Sequence, residues 1–377
     1  MTKKWVNIAD VLFFQEGPGV RNTQYTTSGV KLLNVANLVD GKVDLSKSDR
    51  YISEEEAYGK YRHFLCDDGD FVIASSGIKV EYIDKKMGFV DASMLPLCMN
   101  TSTIRFKVLD ENQLRIRYFM YYLKSKHFKE QLTKQITGSA QLNYGPSHLK
   151  KMIMPLIDIT VQDEIISCMD KLQSIIETRQ RELIELDRLM KARFVELFGD
   201  PRSNPFGFEK KMLKDTCKVI TGNTPSRAIA EYYGDYIEWI KTDNIVSGIL
   251  NPTQATESLS EKGMNVGRTV EKDSILMACI AGSIASIGRV CITDRTVAFN
   301  QQINAVVPEQ YNILFLYVLL QMSKDYLVED INMALKGILS KSKLEEKEFI
   351  IPPMDLQEQF SDFVKQVNKS KFINQLL

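Results

Sequence analysis

The chain has 377 residues, 44% of them hydrophobic, and its 48 lysines and arginines balance its 48 aspartates and glutamates. This length predicts two to three domains, and the hydrophobic fraction allows each half to bury a core. The zero formal charge excludes a histone-like or tail-driven nucleic-acid binder. It leaves room for a local basic groove, because phosphate binding depends on local charge.

No membrane or secretory segment is predicted. The N-terminus has no hydrophobic signal region, and the longest apolar run, residues 313–320, is much too short to span a bilayer. The six cysteines form no CxxC pair and have no histidine at metal-ligand spacing. We therefore expect a cytoplasmic protein with no membrane partner, no structural zinc, and free buried thiols in a reducing compartment.

Residues 1–157 are predicted to form the first globular domain. Short β-rich runs such as 70–74 are separated by polar turns such as 17–19, and a helical stretch covers residues 114–134. This mixture predicts a small domain of the α+β class.

Residues 158–200 are predicted to form one long helix, because residues 161–198 contain neither glycine nor proline. Thr160 and Asp163 fit a capping box at its start, and Gly199 before Pro201 fits its end. At about 1.5 Å per residue the helix is on the order of 55 Å long, which suits a spacer. Apolar residues recur at alternating steps of four and three, which predicts a coiled-coil-like seam. Its members are Ile165, Met169, Leu172, Ile176, Leu183, Leu186, Met190 and Leu197.

Residues 201–353 repeat the features of the first domain in the same order, and residues 354–377 begin a second helix. Residues 240–248 correspond to 33–41, and Pro352 with its following helix start corresponds to Pro155. The second helix continues the seam with Phe360, Val364 and Val367, but it is about half as long as the first. The repeat is far too long for a solenoid. A chain that repeats a domain-plus-helix unit usually reads two things, or one thing with two halves.

The search for catalytic motifs finds none. There is no Walker-type phosphate loop, no Asn-Pro-Pro-aromatic motif of an amino-methyltransferase, and no nuclease-like carboxylate cluster. The three histidines have no metal-ligand neighbours. We therefore expect no catalytic residue, no bound cofactor and no metal in this chain.

A moderate nucleic-acid signal lies in residues 113–151, which contain eight lysines or arginines and one acid, Glu130. Lys124 and Lys126 are the candidate phosphate contacts, and aromatic residues are interleaved with the basic ones. The alternative is a solvated helix face whose aromatic residues lie in the core.

Polar side chains on the predicted loops add candidates for reading base edges, since Asn and Gln can bind adenine and Arg can bind guanine. Each of these residues taken alone is more often a turn residue, so the argument depends on their clustering in both halves. The candidates are Arg21, Asn22, Thr23, Gln141 and Asn143 in the first half, and Asn223, Thr224, Ser226, Arg227, Asn300, Gln301 and Gln302 in the second.

At this point the sequence resembles the specificity subunits of type I restriction–modification systems, over nearly its whole length. The resemblance is carried by TGNTPS at 221–226, YYG at 232–234, IEWI at 237–240, GSIASIG at 282–288, NQQI at 300–303 and IPPMDLQEQ at 351–359. In the first half, SSG at 75–77 and MPL at 154–156 are more degenerate counterparts. No single motif is specific to this family. The order of the motifs and their duplication are together specific to it.

The resemblance implies an α+β fold with two similar target recognition domains, separated by long helices that pack as an antiparallel coiled coil. Each domain would read one half of a bipartite, asymmetric double-stranded DNA target. The implied partners are two methyltransferase subunits, which bind S-adenosylmethionine, and restriction subunits, which use ATP and Mg. The chain itself would bind no cofactor and would not be an enzyme.

The sequence leaves two points open, the partner that covers the helix seam and the function itself. The short second helix leaves the seam from Ile165 to Ile176 without its full partner, and we hypothesise that a methyltransferase subunit or a second copy of the chain covers it. The alternative function is a coiled-coil scaffold or adaptor that does not read DNA sequence.

Overall fold

The computed structural model describes residues 4–136, 143–329, 331 and 337–376. The chain divides into two compact units, unit 1 (Met1–Ile175) and unit 2 (Ile176–Leu377). Both combine helices with short strands, so the α+β class predicted from the sequence is confirmed. Within the described part of the chain, no helix is both long and apolar enough to cross a lipid bilayer.

Unit 1 contains eleven strands among its described residues, together with five complete helices and the start of a sixth. The strands are β1 (Lys4–Asn7), β2 (Leu12–Glu16), β3 (Val30–Leu33), β4 (Leu38–Val39), β5 (Lys42–Val43), β6 (Tyr51–Ile52), β7 (Phe71–Ala74), β8 (Met87–Phe89), β9 (Leu97–Met99), β10 (Thr103–Val108) and β11 (Ile153–Leu156). The helices are α1 (Ile8–Val11), α2 (Glu54–Tyr58), α3 (Ile116–Lys124), α4 (Lys126–Gln135), α5 (Pro146–Leu149) and α6 (Ile159–Phe198), which continues into unit 2.

The core of unit 1 is a four-stranded antiparallel sheet in the order β2-β10-β7-β8. Strand β7 is buried at all four positions, as expected for an apolar run covered on both faces. Phe106 of the sheet packs on Phe119 of α3 with ring centroids 5.0 Å apart. A second sheet, in the order β6-β3-β9, pairs β3 and β9 in parallel.

Unit 2 contains thirteen strands among its described residues, together with five complete helices. The strands are β12 (Glu209–Met212), β13 (Cys217–Thr221), β14 (Tyr233–Gly234), β15 (Ile237–Ile240), β16 (Ser258–Leu259), β17 (Thr269–Val270), β18 (Ile275–Ala278), β19 (Ile280–Ala281), β20 (Val290–Ile292), β21 (Val297–Phe299), β22 (Ile303–Pro308), β23 (Gly337–Ile338) and β24 (Glu348–Ile351). The helices are α7 (Glu261–Val266), α8 (Ile313–Met322), α9 (Lys324–Val328), α10 (Lys341–Glu346) and α11 (Met354–Leu376).

Unit 2 repeats the topology of unit 1. Its central sheet has the order β13-β22-β18-β20, which matches β2-β10-β7-β8 strand for strand. The parallel pair β15–β21 matches β3–β9, and the antiparallel pair β12–β24 matches β1–β11. The duplication inferred from the sequence is therefore a duplication of the fold.

A buried glutamine joins each sheet domain to the helix that follows it. Gln162 Oε1 accepts the N–H of Arg115 at 2.9 Å, and its Nε2 donates to the carbonyl of Ile157 at 2.9 Å. Gln357 does the same in unit 2, accepting from the N–H of Asn312 at 2.9 Å and donating to the carbonyl of Pro352 at 2.8 Å. Both side chains are fully buried, so each bond is shielded from water.

The long helix is observed over Ile159–Phe198, close to the predicted bounds. The predicted capping box is wrong, because Asp158 caps the helix and its carboxylate accepts the backbone N–H of Thr160 at 2.9 Å. Asp163 pairs instead with Arg115, at 2.8 Å between Oδ1 and Nε. At the other end, Gly199 adopts a positive φ of 70°, as expected of a residue that ends a helix.

Helix α11 runs antiparallel to the second part of α6 within unit 2. Phe360 lies 5.5 Å from both Phe194 and Phe198, measured between ring centroids, near the start of α11. Near its end, Lys371 forms an ion pair with Asp187, and Arg179 donates to Asn374 Oδ1 at 2.9 Å. Later residues of α11 thus contact earlier residues of α6, as expected of an antiparallel pair.

The seam residues predicted from the sequence occupy several environments. Phe360, Val364, Val367 and Met190 are buried, and Leu183, Leu186 and Leu197 are partly buried. The alternating step finds Met190 but misses Phe194 and Phe198, because these three buried core positions of α6 recur every four residues. Ile165 packs against the core of unit 1. Met169, Leu172 and Ile176 are 39%, 49% and 50% exposed.

The helical stretch predicted over residues 114–134 is split by a serine, and so is its counterpart in unit 2. Ser125 separates α3 from α4, and its hydroxyl accepts the N–H of Phe128 at 3.3 Å, which starts a new helix. Ser323 separates α8 from α9 at the corresponding place.

Candidate nucleic-acid interface

Each unit holds one long loop in place by a glycine. We call residues 17–29 of unit 1 and residues 222–232 of unit 2 the anchored loops. The N–H of Gly17 donates to Thr103 O at 2.9 Å, and that of Gly222 donates to Ile303 O at 3.0 Å. A Cβ at Gly17 would overlap the carbonyl oxygen of Asn100, and a Cβ at Gly222 would overlap that of Asn300. Both positions therefore admit only glycine, because the chain passes directly against a neighbouring backbone.

Asn223 and Thr224, the first candidate residues of the unit 2 anchored loop, already make hydrogen bonds within unit 2. Asn223 Nδ2 donates to Val266 O at 2.8 Å, and Trp239 Nε1 donates to Asn223 O at 3.3 Å. Its Oδ1 is buried with no hydrogen-bond partner among the described residues. Thr224 is exposed and donates to Gln301 Oε1, so the loop is tied to the turn that follows β21.

The turn that carries Asn300, Gln301 and Gln302 exposes only its middle residue. Asn300 is 6% exposed; its Oδ1 accepts the N–H of Gln302 at 3.1 Å and its Nδ2 donates to Gln302 Oε1 at 3.3 Å. The amide of Asn300 is therefore buried and closes this turn, so it is not presented to solvent as a base contact would require. Gln301 is exposed and Gln302 is half-buried.

Arg227 lies at the centre of a charged and aromatic cluster in unit 2. Its guanidinium carbon is 4.4 Å from the ring centroid of Tyr233 and 5.2 Å from that of Trp239. Its Nη2 donates to Glu257 at 2.6 Å, and Lys241 forms an ion pair with the same carboxylate. These two cations hold the pKa of Glu257 below its usual range, Lys241 contributing most. Ser226 beside it is exposed, and its carbonyl accepts the N–H of Ile229 in a turn.

The anchored loop of unit 1 presents its candidates to solvent. Arg21, Asn22 and Thr23 are all exposed at the start of a short 3-10 turn. The turn is fastened by Gln24, whose Oε1 accepts the N–H of Arg21 at 3.0 Å and whose Nε2 donates to Tyr61 at 3.0 Å. The three candidates are therefore accessible on a fixed backbone.

The remaining unit 1 candidates lie on another segment. Asn143 is exposed and forms an antiparallel bridge with Ser76. Gln141 lies outside the described residues. Tyr144 next to Asn143 is buried and donates to Ala74 O at 3.0 Å, which fixes the position of Asn143.

Unit 1 places different side chains where unit 2 has its charged cluster. The N–H of Leu32 donates to Arg50 O at 2.8 Å, and the N–H of Trp239 donates to Glu257 O at 3.1 Å. By this register Arg50 stands where unit 2 has Glu257, and Leu32 stands where it has Trp239. Arg50 stacks on Tyr25, with 5.2 Å from its guanidinium carbon to the ring centroid. The same framework thus carries two different surfaces.

The sequence reasoning missed Glu257, Lys241 and Trp239 in unit 2, and Arg50 and Tyr25 in unit 1. The aligned stretches 33–41 and 240–248 already place Asn34 opposite Lys241. The residues around Asn34 and Lys241 are repeated between the two halves, whereas these two residues differ in chemistry. That difference is the signal that could have identified Lys241. The others lie outside those stretches.

The basic segment of unit 1, residues 113–151, has more of its positive charges paired with carboxylates than its sequence indicates. Its aromatic residues Tyr118, Phe119, Tyr122 and Phe128 are buried, so the alternative of a solvated helix face over a core applies to them. Arg115 pairs with Asp163, Arg117 with Asp170 and Lys129 with Asp84.

Lys124 and Lys126 keep different degrees of access to solvent. Lys126 is 91% exposed at its side chain and stands 3.7 Å from Glu130. Lys124 is half-buried over the ring of Tyr121, and this burial lowers its pKa. With Lys129 and Lys134 they line an open groove of about 690 Å³.

The described residues offer no metal centre, since they contain no group of three or more His, Cys, Asp or Glu side chains arranged to hold an ion. Burial raises the thiol pKa to about 12 at Cys66, Cys98, Cys217, Cys279 and Cys291. Such thiols are protonated at neutral pH and are poor nucleophiles. Cys168 is exposed on α6.

The comparisons with known proteins fit this duplicated architecture. The model of the type I restriction modification DNA specificity domain matches the chain twice, over residues 18–188 and 205–377. The type I restriction enzyme HindI specificity subunit of Haemophilus influenzae is 33% identical over 149 residues, which are 38% of this chain and 31% of that protein. The MjaIX specificity subunit of Methanocaldococcus jannaschii is 23% identical over 312 residues, which are 77% of this chain and 70% of that protein.

A solved structure shares the fold. The S subunit of a type I restriction–modification system from M. genitalium superposes with a TM-score of 0.56 at 14% identity, covering 99% of this chain and 91% of that one. At this identity the likeness establishes the fold alone.

Proposed function

Because the chain belongs to the family built from the type I restriction–modification DNA specificity domain, which matches both of its halves, we propose that it is the DNA-recognition subunit of a type I restriction–modification complex. Unit 1 and unit 2 each read one half of a bipartite, asymmetric target in double-stranded DNA. The observation that carries this proposal is the pair of anchored loops. They share one glycine-fixed framework and present different exposed side chains, as two readers of two different words require.

The chain acts in a larger assembly under this proposal. Two methyltransferase subunits, which bind S-adenosylmethionine, and restriction subunits, which use ATP and Mg, supply the chemistry in the cytoplasm. This chain binds neither cofactor and is not an enzyme. The names of its relatives, which are specificity subunits of restriction enzymes, support this division of labour.

The helices fix the spacer between the two half-sites and dock the methyltransferase subunits. The first part of α6 supports this proposal, because Met169, Leu172 and Ile176 present an apolar face that is about half exposed. A 40-residue helix is about 60 Å long at 1.5 Å per residue, which exceeds the roughly 34–36 Å between half-sites one DNA turn apart.

A genome-wide map of methylated bases in the source cell, with and without this gene, tests the proposal directly. We expect methylation to disappear at one split, asymmetric motif when the gene is deleted. If methylation of every motif persists, while the complex still assembles and binds DNA without sequence preference, the chain is a scaffold and the proposal fails.

An exchange of unit 1 tests whether the two readers are independent. Residues 1–157 are replaced by the corresponding domain of another family member, and the methylated motif is mapped again. We expect one half of the motif to change and the other to persist. Loss of both halves in a complex that still assembles would contradict the assignment of one half-site to each unit.

A longer helix tests the role of the spacer. An insertion of about one turn near Leu183, roughly 5.4 Å, should widen the gap between the half-sites by one or two base pairs. An unchanged gap would show that another element sets the spacing.

A further inference from the structure

The guanidinium of Arg227 is held in one orientation although its side chain is 56% exposed. It stacks on Tyr233 at 4.4 Å, and the carboxylate of Glu257 fastens Nη2 at 2.6 Å. No other hydrogen bond to Arg227 occurs among the described residues, so Nε and Nη1 keep their donors for a ligand. Stacking and a charge-assisted bond together lower the entropy that a long side chain loses on binding.

Three separate elements of unit 2 contribute residues to this arrangement. Arg227 lies on the anchored loop, Glu257 directly precedes β16, and Lys241 directly follows β15. Lys241 stands 5.1 Å from the ring centroid of Trp239, which is itself 3% exposed. The support of the guanidinium is thus built into the sheet of unit 2 and does not depend on the loop alone.

We propose that Arg227 reads one guanine in the half-site recognised by unit 2, and that Glu257 is its positioning residue. This inference rests on the proposed function and names a residue for one half of it. A guanine presents two acceptors, O6 and N7, in the major groove, and a planar guanidinium can donate to both at once. A free donor pair on an oriented arginine matches that geometry.

A contact to a phosphate fits the cluster less well. The carboxylate of Glu257 is 36% exposed and lies beside the guanidinium, so it offsets part of the positive charge that Arg227 and Lys241 would offer to a phosphate. A phosphate also depends less on the planar guanidinium, since lysine, a point charge without a fork, binds phosphates as well. The observed fastening is therefore of most use in reading a base edge.

At the corresponding exposed position, unit 1 has no equivalent of this arrangement among its described residues. Arg50 stacks on Tyr25 with 5.2 Å to the ring centroid, but its Nη1 points to the Tyr25 hydroxyl at 3.4 Å and no carboxylate pairs with it. Loss of the Arg227 contact should therefore affect a single position in one half of the motif.

The test uses the assembled methyltransferase complex containing the full chain, with methylated bases mapped genome-wide. Arg227→Ala should make one guanine position of one half-site degenerate, with a loss of preference over the other bases of roughly 5- to 150-fold. Arg227→Lys should lose preference in the same way while keeping the charge, because an ammonium lacks the planar fork. Arg268→Ala is the matched control, since Arg268 is exposed in the same unit without a stacked or paired contact among the described residues.

Glu257→Gln separates positioning from charge. We expect this variant to weaken the guanine preference while its affinity for unrelated DNA stays the same or rises, because a carboxylate has been removed from the surface. A merely structural role would lower both. Binding is measured by titration of the complex with duplexes that carry or lack the guanine, at several salt concentrations.

Three results would overturn the inference. Arg227→Ala with an unchanged motif and a lower affinity for all sequences would make Arg227 a phosphate contact, and no change at all would leave it without a role. Loss of the whole half-site indicates collapse of unit 2, in which case Arg227→Lys and Glu257→Gln decide. If the wild-type complex methylates no motif, the proposed function fails first and this inference fails with it.

Discussion

The two units have the same buried supports and different exposed side chains. Gly17 and Gly222 both pass against an asparagine carbonyl, and Gln162 and Gln357 both fasten a helix with the same pair of bonds. The exposed positions differ, with an arginine on tyrosine in unit 1 and an arginine shared between tyrosine and glutamate in unit 2. The buried polar contacts thus specify the fold, and the exposed ones are free to specify the target.

The largest expected effect on stability comes from adding a side chain at the two anchoring glycines, Gly17 and Gly222. Gly17→Ala and Gly222→Ala should each lower the free energy of unfolding by about 3 kcal/mol, since the new Cβ must displace a backbone carbonyl. Urea unfolding of the purified chain measures the change. Gly19→Ala and Gly282→Ala are matched controls because no atom lies within 4 Å of the added Cβ, and both should stay within about 0.5 kcal/mol of wild type. A mild effect at only one anchor would show that the two supports are not equivalent.

The glutamines test the same equivalence at the helix starts. Gln162→Ala and Gln357→Ala each remove the acceptor of a backbone N–H and a donor to a carbonyl, and should each cost about 2 kcal/mol. Gln162→Ala also removes a donation to Gln113 O at 2.8 Å and should cost slightly more. The unfolding free energy is again the measurement. Gln359→Ala, on the exposed face of α11, is the control and should be nearly neutral. Effects that differ widely between Gln162 and Gln357 would mean that one helix start has a second support.

A third pair of positions carries opposite charges on the same framework. Glu238 precedes Trp239 and pairs with Arg295 at 2.8 Å, whereas Lys31 precedes Leu32 and pairs with Asp49 at 3.1 Å. Glu238→Gln should lower the unfolding free energy by about 1 kcal/mol. Lys31→Gln should lower it by less than about 0.5 kcal/mol, because Asp49 is 79% exposed.

The Glu238 effect has a defined pH dependence. The hydrogen bond from Arg295 holds the pKa of Glu238 below its usual value of 4.5. Its contribution is therefore fully present above the pKa of the unfolded chain and is lost as the pH falls through the lower folded value. Unfolding free energies of wild type and Glu238→Gln should converge across that range, and a constant difference down to the lowest pH would contradict the assignment.

The smallest expected effect concerns the lysines that follow the two splitting serines. Lys126 is 91% exposed, whereas Lys324 donates to Ala285 O at 2.6 Å. Lys126→Ala should weaken binding of the complex to all DNA sequences and reduce the salt dependence by a slope of about 1 or less. Lys324→Ala should leave the slope unchanged. A change of sequence preference in Lys126→Ala would mean that this lysine touches a base.

The sequence predicted the duplicated fold because its signals are local. The helix start at Gln162, its repeat at Gln357 and the stop at Gly199 lie within short stretches whose spacing can be read along the chain. Leu197 does pack against the core of unit 2, but Phe194 and Phe198 were not predicted, because steps of three and four both suit a helix and only the packing partner decides between them.

The candidate site was predictable only in part, because its contacts are not local. Arg227, Lys241 and Glu257 come together from three elements, and no pattern in the sequence links them. The burial of Asn300 could not be predicted either, since an asparagine that closes a buried turn cannot be told from an exposed one by its type alone.

The glycine anchors also bear on how such a protein can change during evolution. In both units the position that must remain glycine lies a few residues before exposed side chains, which begin at Arg21 in unit 1 and at Thr224 in unit 2. A mutation in those following positions alters the surface without disturbing the backbone that supports it, so most variants remain folded. New target words can therefore arise by single substitutions within a loop, and one half of the word can drift while the other is inherited unchanged.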